Sequence, residues 1–170
     1  MLIGVCSDTH NDAKGIKEVI DFFALRNADL ILHCGDICLP EYANLFSSLK
    51  KGFKAVYGNN DFYYSDLEKV ISKFGTIDRE PLSFRVKNKS FIMAHRPGAL
   101  DSQKLPQYDF ALYGHTHRKK IEKAGKTILI NPGEVCGWRY GIRTAALINL
   151  DDNRVGIFDL EKQKEIDFLT

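Results

Sequence analysis

Five short apolar runs in this 170-residue chain each lead into a residue able to bind a metal. Ile3-Gly4-Val5-Cys6 runs into Asp8-Thr9-His10, Leu30-Ile31-Leu32 into Gly35-Asp36, and Ala55-Val56-Tyr57 into Gly58-Asn59. Farther on, Phe91-Ile92-Met93-Ala94 precedes His95, and Phe110-Ala111-Leu112-Tyr113 precedes Gly114-His115-Thr116-His117. Short apolar runs bounded by turn residues read as buried strands. In open α/β sheets, ligands sit just beyond the carboxyl ends of such strands. The pattern constrains the chain to a sheet-based fold that delivers seven nitrogen and oxygen donors to one edge. That number is about what two metal ions need.

Each motif alone has a plainer reading. Asp8-Thr9-His10 is more often a turn than a ligand pair. Gly35-Asp36 and Gly58-Asn59 look like ordinary strand-ending turns, because Gly, Asn and Asp tolerate positive φ. His115-x-His117 is stronger, since side chains two residues apart on extended backbone point the same way. Four of the five histidines fall in these motifs, and the fifth, His33, sits just before one. Unrelated structural histidines would not gather at strand ends in this way. His33 itself reads as a packed group or one supporting the ligands, and not as a ligand.

The order of the motifs and their glycines is recognisable. Asp8-x-His10, Gly35-Asp36, Gly58-Asn59-Asn60-Asp61, His95 and Gly114-His115-x-His117 resemble the calcineurin-like metallophosphoesterase superfamily. The short length and Asn131-Pro132-Gly133-Glu134 look like its small prokaryotic phosphodiesterase branch, to which a eukaryotic retromer scaffold subunit is related. The resemblance runs from the first strand to about residue 150. It implies a four-layer α/β/β/α sandwich with a dinuclear metal site at the strand ends. It also implies that Asp8, His10, Asp36 and His117 hold one ion and that Asp36, Asn59, His95 and His115 hold the other, with Asp36 bridging.

Composition fits one compact domain over residues 1–170. The chain is 44% hydrophobic and 27% charged, ordinary values for a globular protein. Its net charge of +2 argues for neither nucleic acid nor a membrane surface. The apolar stretch before Asp8 is too short for a signal peptide, and no run reaches membrane-spanning length. A cytoplasmic location is expected. Cys6, Cys34, Cys38 and Cys136 lack paired CxxC spacing and read as small buried hydrophobes in a reducing compartment.

Three apolar stripes at helical spacing predict helices. Ile16, Val19, Ile20 and Phe23 follow Asn11 or Asp12 as a cap, and Tyr42, Leu45, Phe46 and Leu49 follow Pro40. Leu67, Val70, Ile71 and Phe74 follow a Ser65-x-x-Glu68 capping box and precede Gly75 as a stop. Strands alternating with helices in the first half imply a parallel sheet. The second half carries strand-like runs near 82–87, 90–94, 109–113, 118–122, 127–131, 143–150 and 154–160. Turns at Val86–Ser90 and Leu150–Arg154 read as hairpins, and a second sheet is expected to pack on the first.

Two Asp, one Asn and four His make a mixed set without thiolate, suited to Mn, Fe, Co, Ni or Zn, with Mn favoured. Two such ions about 3.5–4 Å apart generate a bridging hydroxide near neutral pH and clamp an in-line displacement, so phosphoester hydrolysis is the expected reaction. Three neighbours are candidate catalytic residues. Asn60 stands where many members of the family have a proton-donating histidine, and an amide can only hydrogen-bond a phosphate oxygen. Asp61 reads as a group orienting Asn59, His95 or a backbone amide. Arg96-Pro97 replaces the Gly-His that commonly follows this histidine in the branch it resembles, and Arg96 reads either as a phosphate contact or as a solvated surface charge. Arg118-Lys119-Lys120 reads as a solvated face. A small phosphodiester is the expected substrate, with a phosphomonoester or a purely scaffolding role as alternatives. The chain shows no aromatic-interleaved basic patch to track long nucleic acid, and a homo-oligomer is compatible with it.

Overall fold

A computed structural model describes residues 1–170. Strand β1 (Leu2–Cys6) leads into helix α1 (Ala13–Leu25), then β2 (Leu30–His33), α2 (Pro40–Asn44), β3 (Gly52–Val56), α3 (Tyr64–Ile71) and β4 (Thr76–Asp78). β1, β2, β3 and β4 pair in parallel, as the alternation of strands and helices predicts. Side chains alternate across these strands. Ile3 and Val5 face one core, shared with Leu32 and Val56, while Cys6 joins Ile31 and Ala55 in a second core under the helices. Gly4 lies on the helix side, where a Cβ would come 2.7 Å from the Phe23 ring, so glycine lets α1 pack down on β1.

The second sheet follows with β5 (Leu82–Val86), β6 (Lys89–Met93), β7 (Phe110–Leu112), β8 (Lys120–Ala124) and β9 (Thr127–Asn131), in spatial order β5-β6-β7-β9-β8. Phe91, Met93, Phe110, Leu112, Ile128 and Ile130 meet Ile3, Val5 and Leu32 of the first sheet. The crossover from β6 to β7 carries two 3-10 turns, Pro97–Ala99 and Leu105–Gln107, where longer crossovers carry a helix, so the fourth layer is thin. The chain then departs from expectation. Strands β10 (Thr144–Asn149), β11 (Arg154–Asp159) and β12 (Lys164–Leu169) return to the first sheet, with β10 antiparallel beside β1. That sheet reads β12-β11-β10-β1-β2-β3-β4.

Two helices differ from their predicted form. Past Asn44 the α2 segment tightens into a 3-10 turn over Leu45–Leu49 and stops at Lys50, φ 51°. The hydroxyls of Ser47 and Ser48 donate to the carbonyls of Asn44 and Leu45, three residues back, a local pattern that competes with α-helix. Helix α3 starts after Tyr63, which makes no side-chain cap, so Ser65 lies inside it and the capping box does not form. Gly75 does end the segment, but for space: a Cβ there would sit 2.3 Å from the Phe53 carbonyl. Helix α1 is capped as predicted, with Asp12 accepting from the Gly15 amide. No helix is long and apolar enough to cross a membrane.

Candidate metal centre

The carboxyl ends of β1, β2 and β3 in one sheet, and of β6 and β7 in the other, open onto the same rim. The seven predicted ligands lie on the loops that leave those ends. Five of them take left-handed backbone: Asp8 (φ 54°), His10 (42°), Asp36 (60°), His115 (63°) and His117 (62°). Positive φ is uncommon for non-glycine residues and costs about 1–3 kcal/mol where the conformation is poorly populated. Tight stitching holds it here. The amides of Thr9 and His10 both donate to the Asp36 carbonyl, Asp8 N donates to Gly35 O, and Asp8 Oδ2 accepts from His115 N.

Two sets of donor atoms result. In one, His10 Nε2 lies 3.4 Å from Asp36 Oδ2 and 3.8 Å from Asp8 Oδ1, and His117 Nε2 lies 3.4 Å from Asp8 Oδ1. In the other, His95 Nε2 lies 3.5 Å from Asp36 Oδ2, 3.0 Å from Asn59 Oδ1 and 3.2 Å from His115 Nδ1. Asp36 Oδ2 belongs to both. His115 and His117 therefore diverge, one into each set, contrary to the extended-strand reading. Both sit in left-handed loop backbone, where the two-residue period does not hold.

Groups behind the ligands settle which ring nitrogens face inward. His95 Nδ1 donates to the Cys34 carbonyl at 2.8 Å, and His117 Nδ1 donates to Glu134 Oε2. Each Nε2 then faces an oxygen, Asn59 Oδ1 or Asp8 Oδ1, toward which a neutral ring would turn a lone pair. Asp8 Oδ1 and His10 Nε2 are buried without a hydrogen-bond partner. An unsatisfied buried polar atom costs about 1–3 kcal/mol, and facing acceptors repel unless a cation lies between them. The residues present thus fit divalent metal. Burial lifts the Asp8 carboxyl to about 6 and lowers the His10 and His115 imidazoles, which keeps both rings in the neutral form that ligates.

The neighbours take defined places. Asp61 is fully buried and hydrogen-bonds to neither Asn59 nor His95. Its Oδ2 accepts from the amides of Gly58 (2.6 Å) and Asp36 (3.0 Å), and its Oδ1 from Cys38 N (2.6 Å). Asn60 directs its amide hydrogens at the shared carboxylate, Nδ2 to Asp36 Oδ2 at 2.7 Å and backbone N to Oδ1 at 2.8 Å. Arg96 Nε is held by Glu80 Oε1 at 2.7 Å on the wall of a cleft of about 430 Å³ that also includes Asn59 and Arg79. Gly58 carries no positive φ, so its turn reading was incomplete: a Cβ would lie 2.2 Å from Asp36 Oδ1. His33 is packed, as expected, between Phe46 and Phe53, its Nδ1 accepting from Gly35 N. Burial pushes the Cys38 and Cys136 thiols up to about 12, and those of Cys6 and Cys34 above their ordinary value, so none is a ready thiolate.

Three residues were given no role by the sequence. Glu134 is 1% exposed and also accepts from the amides of Arg139 and Tyr140. Burial would raise its carboxyl, but the Tyr140 amide, His117 and the Arg139 amide outweigh that and hold it low. An acid in the otherwise apolar run Pro132–Cys136 was the available signal. Glu80 accepts from the backbone amides of both His95 and Arg96. Trp138 stacks on His10 with centroids 5.1 Å apart. Tyr140 and Arg118 line a cleft together with His117.

Parallel strands of two facing sheets ending at a histidine and carboxylate rim define a metallohydrolase of the phosphoesterase type. Residues 1–153 match the calcineurin-like phosphoesterase superfamily domain, and the chain belongs to that superfamily of metal-dependent phosphoesterases. It is 32% identical over 174 residues, 96% of each chain, to a phosphodiesterase of Methanocaldococcus jannaschii. A solved archaeal phosphodiesterase superposes with a TM-score of 0.88 at 28% identity, covering 94% of this chain and 99% of its own. Vacuolar protein sorting 29 of Cryptosporidium parvum shares the fold with a TM-score of 0.72 at 18% identity, over 99% and 97% of the two chains.

Proposed function

We propose that residues 1–170 act as one unit, a dinuclear metal-dependent phosphodiesterase working on small phosphodiesters in the cytoplasm. The single observation that carries this reading is Asp36 Oδ2, shared between two sets of inward-facing acceptors. Asp8, His10, Asp36 and His117 would hold one ion, and Asp36, Asn59, His95 and His115 the other. Bound there, two divalent ions would activate water near neutral pH and neutralise phosphoryl oxygens. Mn is favoured among Mn, Fe, Co, Ni and Zn, because the donors are nitrogen and oxygen with no thiolate.

The chain's own residues shape what such a site can cleave. Glu134 and the Cys34 carbonyl fix the tautomers of His117 and His95. Asn60 steadies the shared carboxylate, and Asp61 holds the loop that carries it. Arg96, anchored by Glu80, places a positive charge beside Asn59 for a phosphoryl oxygen. Neither Asn60 nor Pro97 can donate a proton to a leaving group, a contribution typically worth about 10²–10⁴-fold. Esters with good leaving groups should therefore react best, and a monoester's second charge adds affinity without easing cleavage. The phosphodiesterase relatives support the same choice. Two sites per chain are expected by Mn²⁺ titration of stripped protein, and Asp36→Asn should disrupt both. Bis-aryl phosphate should show the higher kcat/KM against mono-aryl phosphate. Fewer than two sites would end the dinuclear assignment, and a preference for the monoester would end the diesterase one.

A further inference from the structure

We infer that the cleft beside His117 receives a planar ring on the non-leaving arm of the diester, so that the preferred substrates are nucleoside phosphodiesters. This rests on the diesterase reading. The cleft, of about 370 Å³, is lined by His117, Arg118, Tyr140, Ile142 and Ile166 among others. Ligand pockets commonly fall in the range of about 300–1,000 Å³. It lies at the open edge of the sandwich, where the segment before β8 meets β12 and Lys119 Nζ bridges to Asp167 Oδ2 at 3.2 Å.

Three observations say what fits. First, Tyr140, Ile142 and Ile166 stay 54%, 44% and 37% exposed, an apolar cluster open to solvent directly beside a group of polar ligands. Second, Arg118 takes part in no ion pair, unlike Lys119 and Lys120 beside it, so its guanidinium is free for a π face or a sugar oxygen. Third, the rim is built, not loose. The Glu134 carboxylate that orients His117 also accepts from the amides of Arg139 and Tyr140, which ties the aromatic loop to the reacting centre. A phosphoryl group beside His117 would direct one substituent into this cleft. The second cleft, past Asn59 with Tyr57, Tyr64 and Arg79, remains for the departing arm. An aromatic ring and a free guanidinium both favour a flat heteroaromatic group over an alkyl chain, because stacking on them is tolerant of which base is offered.

The test keeps the leaving group constant. Thymidine 5′-(p-nitrophenyl phosphate), methyl p-nitrophenyl phosphate and octyl p-nitrophenyl phosphate are compared on the Mn²⁺-loaded protein. The ratio of kcat/KM for the thymidine ester over the methyl ester should be about 10 or more, from the usual strength of base stacking. It should fall towards one in Tyr140→Ala and in Ile142→Asp, and any effect on the shared chemistry cancels in that ratio. Calorimetry of thymidine 5′-monophosphate against methyl phosphate gives a readout independent of turnover, with the same preference expected. A ratio near one, a ratio unmoved by both variants, or an octyl ester preferred as strongly as the thymidine ester overturns the inference. Preferential nucleotide binding that weakens in Tyr140→Ala, without hydrolysis of any diester, would uphold the cleft and remove the diesterase reading instead.

Discussion

Asp61→Asn probes the loop that presents the shared carboxylate while changing almost no volume. In the wild type, one carboxylate oxygen accepts from Gly58 and Asp36 and the other from Cys38, all from backbone amides in a buried setting. An asparagine can keep its carbonyl on the first pair, but its NH₂ then faces the Cys38 amide, donor against donor. The loss is one charge-assisted bond, about 1.5–3 kcal/mol, plus an unsatisfied buried N–H at about 1–3 kcal/mol. Part of this is recovered, since burial raises the Asp61 pKa and the neutral amide has no charge to desolvate. A net destabilisation of about 2–4 kcal/mol lowers Tm by roughly 6–12 °C for a chain of this size. Calorimetry of the metal-free proteins at neutral pH measures it directly. Mn²⁺ affinity should fall for both ions, because Asp36 serves both donor sets and Asn59 follows Gly58. A variant with wild-type Tm and two wild-type sites would refute the reasoning.

Glu134→Ala should weaken Mn²⁺ binding by about 10–100-fold at the site that contains His117, seen as one weakened step in a titration. Gly58→Ala places a Cβ 2.3 Å from the Asp36 amide nitrogen, so backbone must shift and the same titration should lose affinity at both sites. His33 gives a pH test on the metal-free protein. Burial holds its pKa down at about 3, whereas an unfolded histidine titrates near 6.5. Below pH 6.5 the unfolded chain takes up a proton that the folded one refuses, so this contribution is fully present above 6.5 and is lost as pH falls towards 3. The loss reaches about 2 kcal/mol at pH 5. His33→Gln should flatten the fall in denaturant stability between pH 6.5 and 5 by about 1.6 kcal/mol, and parallel curves for the two proteins would exclude the assignment.

Much of the fold was legible because each strand of the rim is a short apolar run closed by a turn residue, a purely local signal. The two edge strands of the first sheet gave no such signal. Thr76–Asp78 is three residues long, and Lys164–Leu169 alternates half-buried with exposed positions, so neither announces itself. The return of β10 to the first sheet is a pairing across more than 140 residues, Leu2 with Asn149, which local pattern cannot encode. At the centre, ligand types and order were readable. Their division between two donor sets came from the resemblance and not from spacing, since left-handed backbone at His115 and His117 breaks the period of two. Glu80 gave no signal and Glu134 showed only as an acid in an apolar run, for a related reason: a carboxylate that serves backbone amides looks, in one dimension, like any other acid.

Trp138 is the only tryptophan in the chain, and its indole lies against the imidazole of His10 while remaining 66% exposed. The protein therefore carries its own optical probe, one stacking distance from the centre. Its emission should report protonation of that ring, arrival of a paramagnetic ion, and movement of the loop that also bears Tyr140, without an added label. Because no second indole contributes background, a stopped-flow trace of loading can be assigned to this one corner of the molecule.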